Sequence, residues 1–229
     1  MPWFTGAFLL GVLFIFIFNV MAITAQKNGL SVASVAAKMS VVVPIIFAVL
    51  VYGEELSTIK ITGIILALTA VYLVSVKEDG IHIKKGTLLY PVLLFLGSGT
   101  IDTSLKYLEV NYVGKGEIPL FSATIFAFAA LVGFLLLAFK ILKKNEKITV
   151  KNIIAGICLG IFNYYSITFL IMALRSDTLD SSTVFTINNV AIVTLTTLMG
   201  ILLFKEKLNI KNIVGIFIAV LSIFLVAMS

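Results

Sequence analysis

Eight apolar runs fill almost the whole chain, at about 3–25, 31–52, 58–76, 86–108, 118–142, 151–174, 181–204 and 210–228. Each is near or above the roughly 20 residues that a helix needs to cross a hydrocarbon core about 30 Å thick. That pattern constrains the fold more than any other feature. The joints between runs are short and polar, such as Gln26-Lys27-Asn28-Gly29, Glu54-Glu55-Leu56-Ser57, Lys143-Lys144-Asn145-Glu146-Lys147 and Lys205-Glu206-Lys207. Of the 229 residues, 60% are hydrophobic and 12% charged, about half the charge of an ordinary soluble domain. A soluble globule is excluded, and an all-α polytopic membrane protein with about eight transmembrane helices is expected. A separate water-soluble domain has no sequence left to form it.

The net charge of +6 comes from 16 lysines and one arginine against 11 acidic residues. The lysines sit between apolar runs, where they anchor and orient a membrane protein, so no nucleic-acid partner is expected. Twelve of them, including Lys27, Lys77, Lys143, Lys144 and Lys205, fall on one side of an eight-span arrangement. The other side receives Lys60, Lys106, Lys115 and Arg175. By the positive-inside rule the larger group is cytoplasmic and the C-terminus outside. The single cysteine, Cys158, reads as a small buried hydrophobe and allows no intramolecular disulfide. His82 stands beside Lys84 and Lys85 without other ligands around it, and neither a metal nor a cofactor is expected.

The first three runs repeat in the last three. An offset of 152 carries Glu54 onto Glu206 and Gly63 onto Gly215, and an offset of 149 carries Gly11 onto Gly160 and Leu30 onto Leu179. Helices one and six are five apart, so the two units cross the bilayer in opposite directions. An inverted repeat of this kind is the architecture of many secondary carriers, whose substrate site lies near the midplane between the halves. Residues 1–76 then form the last three helices of a first repeat, and 86–229 a five-helix second repeat.

The segments Val51-Tyr52-Gly53-Glu54-Glu55-Leu56 and Leu203-Phe204-Lys205-Glu206-Lys207-Leu208, each followed by a helix with glycine near its start, resemble the two repeats of the drug/metabolite transporter superfamily in its EamA-type branch. The turn Ala25-Gln26-Lys27-Asn28-Gly29-Leu30-Ser31-Val32-Ala33-Ser34 is similar to that family's turn between its third and fourth helices. The resemblance implies ten helices in two inverted five-helix units, a cytoplasmic C-terminus, and movement of amino acids, nucleotide sugars, drugs or other small metabolites without ATP hydrolysis. The implied C-terminus is opposite to that of the lysine count. Helices four and five have no counterpart ahead of residue 1, so about 60 residues encoding two more apolar runs are expected upstream of Met1.

Polar residues within the runs are costly in a bilayer and mark candidate sites. Lys38 lies seven residues after Ser31, about 10 Å into its helix. It shares a face with Ser31 and Ser34, and it either lines a cavity or snorkels to the interface. Asp102 lies mid-helix after Gly97-Ser98-Gly99-Thr100, and it either pairs with Lys106 one turn on or lines the cavity. Ser182, Thr186, Asn189 and Thr196 form a stripe in the repeat position equivalent to that of Lys38, where helix packing and cavity lining both fit. Asn19, and Asn163 with Ser166, are weaker candidates. Pro44 predicts a kink at Ser40, and Gly156 with Gly160 permits close helix contact.

Neither a nucleophile with its base, nor paired carboxylates on one face, nor a glycine-rich phosphate loop is present, so an enzyme is not expected. The reading is a secondary carrier or exporter of a small organic metabolite by alternating access. It sits in a lipid bilayer, in the plasma (inner) membrane. A non-catalytic membrane scaffold is the alternative, with a membrane-embedded enzyme behind it.

Overall fold

The computed structural model describes residues 1–75, 87–114, 116–144, 149–176, 178–204 and 210–228. The expectations on His82 with its neighbouring lysines, and on the Lys205-Glu206-Lys207-Leu208 turn, fall outside them. So do those on Lys115 and on the side chains of Ser31 and Thr196. The described residues form nine helices and no strand: α1 (Phe4–Asn28), α2 (Leu30–Met39), α3 (Val42–Tyr52), α4 (Thr58–Ser75), α5 (Leu89–Tyr112), α6 (Ile118–Lys144), α7 (Val150–Leu174), α8 (Ser181–Phe204) and α9 (Ile210–Ala227). In hydrocarbon every backbone N–H and C=O must be satisfied within its own segment, which the helix achieves.

Among the described residues six stretches are long and apolar enough to cross a membrane: α1, Val32–Tyr52, Ile118–Lys143, α7, Ser181–Met199 and α9. The segment Thr58–Val74 is a shorter apolar helix, and α5 carries Asp102, Lys106 and Glu109 along its 24 residues. Large apolar side chains point outward, among them Leu50, Phe134, Leu142 and Phe217. That is costly in water and natural in lipid. The chain is an all-α polytopic membrane protein.

The second apolar run is two helices, and Pro44 accounts for the break. Proline has no N–H for the carbonyl of Ser40, and α2 ends at Met39 while α3 starts at Val42. The freed carbonyl is taken up locally by Val43 N, which donates to Ser40 O at 2.9 Å, while the Ser40 hydroxyl donates to Ala37 O at 2.6 Å. After α3 the chain reverses at Gly53, whose φ of 66° is one that only glycine adopts without strain.

Two compact units divide the chain. One holds Met1–Phe18 and Ser104–Ser176, the other Asn19–Thr103 and Asp177–Ser229. In the first, α1 lies against α5 and α6 through two glycines. A Cβ on Gly6 would meet Leu108 at 2.5 Å, and one on Gly11 would meet the Ile125 carbonyl and Phe128 at 2.7 Å. Aromatic rings close the same interface: Trp3 meets Phe121 edge-on at 5.5 Å, and Phe4 and Phe8 meet Phe128 at 5.3 and 5.2 Å.

In the second unit α4 packs along α9, with Ala67, Ala70, Val190 and Ala219 buried together. Here the contacts follow the repeat. A Cβ on Gly63 would collide with Val226 and touch Leu225, and one on Gly215 would collide with Val74 and Leu73. The 152-residue offset carries Gly63 onto Gly215, Leu73 onto Leu225 and Val74 onto Val226. Each helix thus offers its glycine to the same residues of the other, and the pair runs antiparallel. Asn212 completes the contact by donating to the carbonyls of Leu73 and Val74 at 3.1 and 3.0 Å.

Candidate functional site

Two charged residues of the second unit, Lys38 and Asp102, lie near the break between α2 and α3. Lys38 is half-buried one residue before the end of α2, and Asp102 is half-buried on α5. The two are close enough to interact electrostatically. Gly99, one turn before Asp102, lets α5 approach the break, because a Cβ there would lie 2.6 Å from Val43 and 3.0 Å from the Ser40 carbonyl. Ser34 lies one turn before Lys38. Met39, beside Lys38, packs on Val71, Val74 and Val193, and Val193 is one turn beyond Asn189.

The local alternative for Asp102 does not hold. The Lys106 ammonium is engaged elsewhere, with Glu109 Oε2 at 3.2 Å and the Leu174 carbonyl at 2.7 Å. The reason is position: Glu109 lies one turn further on and is held beside Arg175.

On α8, Thr186 and Asn189 are buried and donate to carbonyls of their own helix four residues back, Ser182 O at 2.7 Å and Phe185 O at 3.0 Å. The hydroxyls of Ser182 and Thr194 are buried and have no hydrogen-bond partner among the described residues. Asn19 is exposed on α1. Asn163 belongs to the other unit, where it is half-buried and donates to Leu159 O at 2.8 Å. The structure therefore brings Lys38 and Asp102 together, with Ser34 one turn away, and keeps Thr186 and Asn189 adjacent on α8.

Residues 88–228 match the EamA-like transporter family. The chain belongs to that family. An uncharacterized protein of Haemophilus influenzae is 29% identical over 219 residues, which cover 94% of this chain and 72% of that protein. A solved crystal structure is similar in fold, with a TM-score of 0.71 at 12% identity, over 98% of this chain and 88% of that one. This EamA-family chain is thus an integral membrane protein, and its family is one of small-molecule transporters.

Three groups of charged residues in the EamA chain escape a reading by motif. Glu54, from the turn that carries the family resemblance, accepts from the N–H groups of Ser181 and Ser182 at 2.9 and 3.0 Å. Its carboxylate fills the positive end of α8, where first-turn N–H groups lack helical partners. Lys60 is buried and reaches Asp180 at 2.5 Å, beside the same helix start.

In the first unit, buried Glu109 accepts from Arg175 Nε at 2.7 Å, and Arg175 also donates to the carbonyls of Gly114, Glu109 and Val113. Glu117, at the mouth of α6, accepts from Gly114 N at 2.9 Å and from Trp3 Nε1 at 3.0 Å. The Gly114 N–H, and after it the Trp3 indole, hold its carboxyl below the usual range. Apart from Gly114, three residues before Glu117, these partners lie 61 to 128 residues apart, and no sequence pattern joins them. Only the presence of charge at the ends of apolar runs points to them.

Proposed function

We propose that this chain is a secondary carrier of a small organic metabolite, working by alternating access, with Lys38 and Asp102 as the charged centre of its substrate cavity. The observation that carries the reading is that Lys38, at the end of α2 beside a broken span, and Asp102, on α5 one turn past the Gly99 contact with that break, lie close enough to interact electrostatically. A charge inside a membrane is expensive and is kept where it meets a partner, water or a substrate. Broken helices set irregular backbone where a cavity lets it be satisfied, and this break lies two residues beyond Lys38. Ser34, Thr186 and Asn189 add polar lining, with Asn19 and Asn163 as further candidates. The buried, unpartnered hydroxyls of Ser182 and Thr194 are groups that a solute or cavity water takes up. An unmade hydrogen bond of this kind costs about 1–3 kcal/mol. The carrier sits in the plasma (inner) membrane.

Flux by the protein in proteoliposomes, driven by a solute or ion gradient without ATP, tests the reading. Lys38→Met keeps the stem and removes the charge, and it should abolish flux while the protein stays folded. Normal flux by that variant removes Lys38 from the site. Absence of flux by the unmodified protein across a broad metabolite panel leaves the scaffold reading in its place.

A further inference from the structure

The hairpin of α6 and α7 carries lysines that meet no carboxylate among the described residues. Neither helix contains an acidic residue, and Lys140, Lys143 and Lys151 are exposed without an ion-pair partner among those residues. By contrast, Lys60, Lys106 and Arg175 each meet a carboxylate, and Lys27 is engaged by Tyr90. Every residue from Val150 to Phe162 is exposed as well, including Cys158, which is therefore no buried hydrophobe.

The membrane level of these lysines follows from the helix. Just before α6, Glu117 accepts from the Trp3 indole at 3.0 Å, and tryptophan is enriched at the membrane–water interface. At 1.5 Å per residue, Lys140 lies about 33 Å and Lys143 about 38 Å from Ile118, the first residue of α6. The hydrocarbon core is about 30 Å thick, so both side chains start among the headgroups of the far leaflet. Only residues 145–149 separate the two helices, which returns Lys151, in the first turn of α7, to that leaflet.

Lys143 does not extend away from the bilayer. Its ammonium lies over the ring of Phe139, 4.6 Å from the centroid and one turn nearer the hydrocarbon, so one side rests on the ring while the residue stays exposed. Leu136, Phe139, Lys140 and Lys143 fall at i, i+3, i+4 and i+7 and form one exposed face. Apolar groups below and ammonium groups above match the order of acyl chain and phosphate in a phospholipid. A zwitterionic headgroup brings its own cation, whereas an acidic one leaves its phosphate charge to the lysines. We propose that this face of α6, with Lys151 of α7, binds an anionic phospholipid of the surrounding leaflet, its phosphate on Lys140 and Lys143 and an acyl chain along Leu136 and Phe139.

Native mass spectrometry of the protein, released from detergent holding equal amounts of phosphatidylglycerol and phosphatidylcholine with the same acyl chains, tests this. The anionic lipid should be retained at least about fivefold over the zwitterionic one, the gain expected from a single juxtamembrane lysine. Lys140→Gln/Lys143→Gln/Lys151→Gln should bring the ratio close to parity, while Lys27→Gln, whose ammonium is held by Tyr90, should leave it unchanged. Phe139→Leu keeps every charge but removes the ring under Lys143, and should lower the ratio at least about twofold. The substituted positions are exposed, so the fold stays in place. An unchanged ratio in Phe139→Leu would mean general attraction by net charge and would overturn the proposal. So would equal retention of the two lipids by the unmodified protein, or a preference that survives the triple change. Displacement of the anionic lipid by excess inorganic phosphate would likewise overturn it, since the site would then hold an anion without a lipid.

Discussion

Replacing Arg175, the only arginine, tests whether the charge cluster of the first unit holds two helix ends together. The α5 helix ends at Tyr112 and α7 at Leu174, where the last carbonyls lack helical donors and a cation is favoured by the helix dipole. Arg175 Nη2 donates to Val113 O at 2.7 Å and Glu109 O at 3.2 Å, and Nη1 to Gly114 O at 3.1 Å. Its Nε meets Glu109, whose side chain is 4% exposed against 24% for Arg175.

Breaking a fully buried ion pair by removing one partner costs about 3–5 kcal/mol. Lys106 remains beside Glu109 and Arg175 is partly open, so Arg175→Ala should fall nearer about 2–3 kcal/mol. On the scaling for chains of 150–250 residues, that lowers Tm by about 4–12 °C. Arg175→Lys keeps the charge but lacks the planar fork, and should lie about halfway.

Thermal unfolding in detergent, followed by circular dichroism, measures both. The double variant Arg175→Ala/Glu109→Leu should lose less than the two single changes added together, since it leaves no orphaned carboxylate. A Tm for Arg175→Ala within 1 °C of the unmodified protein, or strict additivity in the cycle, would refute the argument.

Trp3 is the only tryptophan, and its indole donates to Glu117, so its emission reports that carboxylate. Since folding lowers the Glu117 value below its ordinary 4.5, its contribution is present above that value and is lost as pH falls through the lower folded one. Emission should stay constant from pH 7 to 5 and change only below 4.5, and a midpoint above 4.5 would contradict the hydrogen bonding. Glu54→Ala should destabilise by about 2 kcal/mol, the scale of a charge-assisted hydrogen bond at a helix N-terminus, while Glu55→Ala, exposed beside it, should change Tm little. Gly215→Leu should cost about 1–3 kcal/mol by overpacking against Val74, and Gly63→Leu should cost a similar amount, because the contact is reciprocal. Unequal Tm losses would break that symmetry.

The fold was legible because lipid leaves few options. Runs of about 20 apolar residues can only be helices, and Pro44 located the break between α2 and α3. The offset of 152 was legible as matching letters, and the contacts give it physical meaning, with Gly63 against Val226 answered by Gly215 against Val74. The site was legible only as a set of expensive residues. Lys38 and Asp102 stand out by cost, but their proximity depends on how α5 meets the α2–α3 break through Gly99, which neither local sequence encodes. A pair with Lys106 is one of two readings of Asp102, because i, i+4 spacing is visible in a sequence. The competing claim of Glu109 on Lys106 is visible there as well, three residues on, but its weight comes from Arg175, 66 residues away.

That difference has a general physical cause. In a bilayer the hydrophobic effect fixes which segments are helices and drives none of their pairings, since lipid tails are as apolar as leucine. Helix partners are chosen by small residues that admit close backbone contact and by polar groups that must be satisfied. Gly6, Gly11, Gly63, Gly99 and Gly215 each meet a neighbour that a Cβ would displace, and Asn212, Glu54 and Arg175 bond across elements. Gly156 and Gly160 share the sequence signature of the first set without its contacts. A glycine pair therefore states that a helix can be approached, and only the complementary surface states by what.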